Sequence, residues 1–324
     1  MSDANRNLYP YLTEFLSLDS QTPAIKSLLS ETLNTAHFPD FDDEEQDVYD
    51  WVLIKRKGVE LGFIDKNYYK GAPYYAWFQD GAILGQIYYY SELVDSDVKA
   101  YEGYLPRNIT WQDDRDTVLL KMEDFSDICK QSYTTDVWYF DEFLLTMNYN
   151  EETDIVERIV FHLRLPPLPQ PNITPPNFAD IAKFLSEDIS DSKFLDLWRG
   201  YITNEELEQA FETDEINLLD TYGVKIHTSS QTGSLLLHNV TFYSNRESDS
   251  VGWQGQLPFM LNFEDSPIEL FQKINSVFKI EPREYDEEVN DGYVIWDFEY
   301  FSLKVVYSTF KNEIQTVSVM IPTF

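Results

Sequence analysis

The sequence predicts an α+β fold of two tandem, similar domains, each with N-terminal helices and an antiparallel sheet packed on a helix. Three observations predict it. Blocks of residues recur in the same order in the two halves of the 324-residue chain. A proline-rich stretch divides those halves. Within each half, apolar spacing changes from the three-and-four pattern of a helix to the alternation of strands. A typical domain of about 150 residues also gives two for this length.

The dividing stretch is Leu165-Pro-Pro-Leu-Pro-Gln-Pro-Asn-Ile-Thr-Pro-Pro176. It holds too many prolines for a helix or an inner strand, and so favours an extended, semi-rigid linker. The expected boundaries are a first unit over 1–165, a linker over 166–176 and a second unit over 177–324.

Across that linker, Gly58-Val-Glu-Leu61 parallels Gly223-Val-Lys-Ile226, and Ile87-Tyr-Tyr-Tyr-Ser91 parallels Val240-Thr-Phe-Tyr-Ser244. Gly103-Tyr-Leu-Pro106 then matches Gly255-Gln-Leu-Pro258, and Ile109-Thr-Trp-Gln-Asp-Asp114 matches Leu261-Asn-Phe-Glu-Asp-Ser266. Trp138-Tyr-Phe140 closes the series against Trp296-Asp-Phe298. Order and similar gaps together indicate duplication of one unit.

Each element follows from local pattern. Apolar residues three and four apart predict helices over Ile25 to Leu33, Ala179 to Leu185, Phe194 to Tyr201 and Glu205 to Phe211. Asp191 and Thr203 are N-caps, the latter with Glu206 in a capping box. Strands follow over Gly58 to Ile64, Tyr74 to Phe78 and Ile83 to Tyr90, with counterparts over Gly223 to His227, Ser234 to His238 and Val240 to Ser244. A short strand at each Leu-Pro precedes helices over Thr117 to Phe125, capped by Asp114, and Ile268 to Phe278, capped by Asp265-Ser266. Period-two alternation then predicts Val137 to Phe140, Leu144 to Tyr149 and Ile155 to Leu163 in the first unit. Gly292 to Phe298, Ser302 to Tyr307 and Ile314 to Ile321 are their counterparts in the second.

A capped helix after a Leu-Pro-x-x-[Leu/Ile]-x-[Trp/Phe] segment, then an aromatic strand and two alternating strands, resembles the unit of beta-lactamase inhibitory protein and of BamE-type assembly lipoproteins. It also resembles modules of the immunity proteins that bacteria encode beside polymorphic or type VI secreted toxins. The likeness covers about 60 residues per half and implies a protein that binds and occludes another. It transfers no functional residue.

Composition narrows the partners. Against 57 acids stand 24 bases, for a net charge of -33, which repels nucleic acid and anionic membranes and favours a basic protein. The start lacks a secretion signal and no window is apolar enough to span a bilayer. With Cys129 the only cysteine, the expected compartment is the reducing cytoplasm. Oligomeric state is open.

Motifs for chemistry are missing. His37, His162, His227 and His238 belong to no metal-binding or nucleophilic arrangement, and the scattered glycines form no phosphate loop. The run Asp40 to Asp47 lacks the glycine and terminal Glu of a calcium loop. The expectation is therefore no cofactor, no metal and no enzyme activity.

The candidate partner-binding residues combine carboxylates that steer with aromatics that anchor. Asp42, Asp43, Glu44, Glu45 and Asp47 form the densest acidic run. Asp286, Glu287, Glu288 and Asp291 lie in an expected turn beside Trp296, and a further acidic stretch runs from Glu205 to Glu215. Tyr74, Tyr75, Trp77, Tyr88 and Tyr90 supply rings, with alternation placing them on both faces of their strands. The leading expectation is a cytoplasmic immunity protein that occludes a basic, nuclease-type toxin. The rivals are a DNA mimic, which needs carboxylates spaced like phosphates, and a hydrolase, which needs a carboxylate pair in a cleft.

Overall fold

A computed structural model of the chain describes residues 12–39, 47–231, 233–288 and 290–322. Two compact units meet at the Pro166–Pro167 bond. The first contains β1 (Tyr49–Ile54), β2 (Val59–Asp65), β3 (Ala82–Tyr90), β4 (Cys129–Gln131), β5 (Thr135–Tyr139), β6 (Phe143–Tyr149) and β7 (Val156–Leu163). They form one antiparallel sheet in the order β1-β2-β3-β7-β6-β5-β4.

The second contains β8 (Glu215–Leu218), β9 (Val224–Gln231), β10 (Ser234–Tyr243), β11 (Glu284–Glu287), β12 (Asp291–Asp297), β13 (Ser302–Ser308) and β14 (Glu313–Met320). Read from its own first strand, its antiparallel order is β8-β9-β10-β14-β13-β12-β11. The two orders are the same, strand for strand.

Alternation builds each core. In the first unit Val59, Leu61 and Phe63 of β2 join Leu84, Ile87 and Tyr89 of β3, Ile159 and Phe161 of β7, and Trp138 of β5. Val118 and Met122 pack on them from the helix Arg115–Lys121 and its C-cap. In the second, Val224, Ile226, Phe242, Val317, Val305 and Trp296 meet Leu270 and Ile274 of the helix Pro267–Phe278. Phe194 and Trp198, at the helix Ser192–Leu197, extend that core.

Backbone detail repeats as well. Gly58 (φ 61°) and Gly223 (φ 70°) are left-handed, and a Cβ on either would sit 2.2 Å from the Lys99 carbonyl oxygen or 2.3 Å from the Gly252 carbonyl carbon. Only glycine fits there. After each Leu-Pro, two successive non-glycine residues are left-handed, Arg107-Asn108 and Phe259-Met260. A lysine from the following helix closes that turn in both units: Lys121 Nζ donates to the Asn108 carbonyl (2.9 Å) and Asp113, Lys273 Nζ to the Met260 carbonyl (3.0 Å) and Asp265 (2.7 Å).

The repeat also extends further upstream than the sequence blocks suggested. Phe15-Leu-Ser-Leu-Asp19 and Phe184-Leu-Ser-Glu-Asp188 each hold a left-handed serine (φ 68°), and Ser17 and Ser186 donate their amides to Leu84 and Leu237 of the equivalent strands.

Several expectations need correction. Both units are mostly sheet, and their helices are short segments rather than a layer on which each sheet rests. The helix expected through Phe125 ends at Lys121, because Asp124, Ser126 and Asp127 favour local side-chain bonding over helix, and a 3-10 segment Glu123–Ile128 follows. The Leu-Pro segments are left-handed turns instead of strands. Tyr74 to Phe78 is no strand either: Pro73 lacks an amide donor and a 3-10 turn spans Tyr74–Ala76.

The pair Ser234 to His238 and Val240 to Ser244 is one strand, β10. Its register slips between Leu237 and Asn239, so a bulge at His238 reverses the alternation and mimics a break. The acidic segment before Trp296 is not a turn; Glu284–Glu287 is the edge strand β11. The proline-rich stretch lies along the second unit. Asn245 exchanges two hydrogen bonds with the Leu168 backbone (2.7 and 3.0 Å), and Ile173 joins the second core.

Candidate functional site

The largest difference between the equivalent strand pairs lies in their connection. β9 ends at Gln231 and β10 begins at Ser234, whereas residues 66–81 separate β2 from β3. A long connection on an otherwise economical scaffold is where recognition concentrates.

That connection is fixed from within. Asp65, fully buried at the end of β2, accepts the Tyr68 amide (2.6 Å) on one oxygen and the Phe78 amide (2.9 Å) on the other, tying the loop's two ends to one carboxylate. Asn67 donates to the Ala76 carbonyl (2.7 Å), Trp77 Nε1 to the Ala72 carbonyl (2.7 Å) and Gln79 to the Tyr75 carbonyl (2.7 Å). Around Trp77 stand Tyr68 at 4.9 Å and Tyr74 at 5.0 Å, both edge-on. Lys66 Nζ reaches Asp19 at 2.7 Å, which holds the Asp19 carboxyl below its ordinary value, chiefly through that hydrogen bond.

Tyr74 and Tyr75 project from this frame with 75% and 80% of their surfaces exposed. Their backbone is held before any partner arrives, so little conformational freedom is lost on contact. Tyr has an apolar ring and a polar tip, which suits a partly wetted protein interface.

Asp47 is exposed at the foot of the same loop, since its neighbour Val48 accepts the Asp65 amide (2.8 Å). The acidic residues Asp42, Asp43, Glu44 and Glu45 lie outside the described residues. In the second unit Asp286, Glu288 and Asp291 are exposed. Glu287 is occupied differently: its carboxylate accepts the hydroxyls of Tyr285 and Tyr307, both at 2.9 Å.

Tyr88 and Tyr90 are sequestered on β3. Their rings stack at 6.0 Å, Trp51 packs edge-on to Tyr88 and Arg158 lies over Tyr90. The Tyr90 hydroxyl donates to Glu60, that of Tyr88 to Gln86 (2.9 Å), and burial raises the pKa of both. Tyr90, 9% exposed, serves the sheet and is no surface anchor.

A buried polar cluster in the first unit had no sequence motif. Asp136, 0% exposed, binds the Arg115 guanidinium at 2.5 Å and 3.2 Å and accepts the Tyr149 hydroxyl (2.9 Å) and Gln131 (3.1 Å). Arg115 also donates to the carbonyls of Ser132, Tyr133 and Thr135. Every strong donor in the cluster points inward, so it stitches β4, β5 and β6 to the helix rather than meeting a ligand. Cys129 is nearby, its thiol pushed up to about 12 by burial. His227 sits 3.6 Å from Glu215, and burial lowers its pKa.

Among the described residues no group of three or more His, Cys, Asp or Glu is placed to hold a metal ion, and no helix is long and apolar enough to cross a membrane. No family model, curated protein or solved structure matches the chain.

Proposed function

We propose that the chain is a binding protein of the immunity type, which attaches to a basic protein, a cognate secreted toxin of nuclease character, and covers its working surface. The observation that carries this reading is the loop 66–81, an internally tied platform that presents Tyr74 and Tyr75 to solvent. Tyrosines are frequent hot spots, and a surrounding excess of carboxylates speeds encounter with cations. The net charge of -33 supplies that excess. In this reading the chain acts by occlusion, without chemistry of its own, in the cytoplasm.

The test screens the neighbours of this chain's gene for a basic, toxic protein. Co-expression should rescue cells from its toxicity. The purified pair should associate faster at low salt than at high salt, because exposed charges are screened beyond about 8 Å at physiological ionic strength. Absence of both binding and rescue would overturn the reading, and a salt-independent on-rate would remove the role of charge.

A further inference from the structure

A cavity of about 210 Å³ in the first unit is lined by Arg56, Lys57, Lys99, Ala100, Tyr101, Glu102 and Gly103. Arg56, Lys57 and Lys99 therefore share one cavity in a protein otherwise rich in carboxylates, while Lys55 on the same turn pairs with Asp97 at 3.9 Å. We propose that this cavity binds a compact phosphate-type anion, a free phosphate or the phosphate group of a small ester.

The cations are held together by the fold. Gly58, left-handed, turns the chain tightly after Lys57, and the Lys99 amide donates to the Lys55 carbonyl (2.9 Å), which brings the two segments side by side. The Arg56 guanidinium donates to the carbonyls of Leu33 (3.2 Å) and Asn34, so its charge is anchored at the end of the N-terminal helical segment. Burial, then the neighbouring Arg56 charge, lowers the pKa of Lys57. Burial is the larger cost to the Lys57 charge and the Arg56 charge the smaller, and an anion seated against both residues offsets them.

Size and field choose the ligand. Sites for drug-sized molecules occupy roughly 300–1,000 Å³, so a cavity of about 210 Å³ selects something compact. Nucleic acid and anionic membranes carry many charges and meet the whole field of a -33 protein, whereas a small dianion meets mainly the lining, where Arg56, Lys57 and Lys99 outweigh the one acid, Glu102.

The second unit provides an internal control. Its Val251 amide donates to Leu219 (3.1 Å) as Lys99 does to Lys55, and Gly223 stands where Gly58 does. The intervening residues there are Asp220, Thr221 and Tyr222. The duplicated backbone therefore does not require the cations; the first unit carries them by choice of side chain.

Titration calorimetry with inorganic phosphate and with glycerol phosphate, at constant ionic strength in chloride, tests the site. Saturable binding is expected, about tenfold weaker for each of Lys57→Gln and Lys99→Gln, since a charge-assisted hydrogen bond is lost in each. Lys57→Arg should retain binding, and Lys183→Gln in the second unit should leave it unchanged. Lys99 is exposed, so its variant carries the test if Lys57→Gln fails to fold. No saturable binding of either probe, equal weakening by Lys183→Gln, or a preference for duplex DNA over the small esters would each overturn the proposal.

Discussion

The two units share a strand order, a left-handed glycine before the second strand, a pair of left-handed residues after Leu-Pro, and a lysine that closes that turn. They part company at the surface and in one buried corner. The first unit spends residues 66–81 where the second needs only a short connection, and before its left-handed glycine it places Lys55, Arg56 and Lys57 where the second has Asp220, Thr221 and Tyr222. What a duplicated backbone keeps in both copies is what the fold requires. What only one copy carries is open to a task.

The buried corner shows the same logic inside the protein. Tyr149 and Tyr307 occupy matching places on β6 and β13, and each hydroxyl finds a carboxylate, Asp136 on β5 for one and Glu287 on β11 for the other. The requirement is a partner for a buried hydroxyl, and two different strands meet it. Position 294, two before Trp296 as Asp136 is two before Trp138, is a buried valine. The comparison predicts that Asp136→Val alone costs about 3–5 kcal/mol, because it strands the Arg115 charge, while Asp136→Val with Arg115→Leu recovers most of that loss. Urea unfolding of the three proteins gives both numbers. A double variant no more stable than the single one would break the parallel between the corners.

Trp138 and Trp296 are equivalent core anchors, 1% and 0% exposed. Replacing either with Ala should cost about 3–5 kcal/mol. Unequal losses in urea unfolding would show that the two cores are not matched in packing. Next in size come Gly58→Ala and Gly223→Ala, about 1–3 kcal/mol each from forcing a Cβ into a left-handed site against backbone. The melting temperature should fall for both, and a neutral result at one would separate the two turns.

The smallest effect concerns acid. Asp19 and Asp188 are equivalent, and both carboxyls are held below the ordinary 3.8, Asp19 first by Lys66 and Asp188 first by the Ser190 amide. A depressed carboxyl stabilises the fold above its unfolded value and loses that contribution as pH falls through its folded value, so the window lies below about pH 4. Asp19→Asn should cost only tenths of a kcal/mol at neutral pH, as partly exposed pairs do, and the cost should vanish below that window. A pH-independent difference in melting temperature would contradict the Lys66 assignment.

Interior strands were legible because half of each faces a core, and alternation records that. The strands that escaped were Tyr49–Ile54, Cys129–Gln131, Glu215–Leu218 and Glu284–Glu287, which are the four sheet edges. Three of these edges are only three or four residues long, as edges that discourage pairing are, and Tyr49–Ile54, though longer, runs Tyr-Asp-Trp-Val-Leu-Ile without alternation, so their pattern is weak. The bulge at His238 hid a long strand by shifting its phase. For the candidate site, sequence pointed to Tyr74, Tyr75 and Trp77 but not to Asp65, whose role depends on amides contributed by Tyr68 and Phe78. Nor could alternation show that Tyr90 already has Glu60 as a partner. The upstream repeat was visible as Phe-Leu-Ser in both halves, at Phe15 and Phe184.

The dissociation constant of the basic partner for two variants tests the central claim, that the loop found in one unit alone makes the contact. One variant is Tyr74→Ala with Tyr75→Ala, the other is Asp286→Lys with Glu288→Lys and Asp291→Lys, each checked for an unchanged melting temperature. Removing two exposed anchors should weaken binding by at least about tenfold, mainly through faster dissociation, while the charge reversal should chiefly slow association. Full affinity after loss of both tyrosines would contradict the account and move the contact off the 66–81 loop.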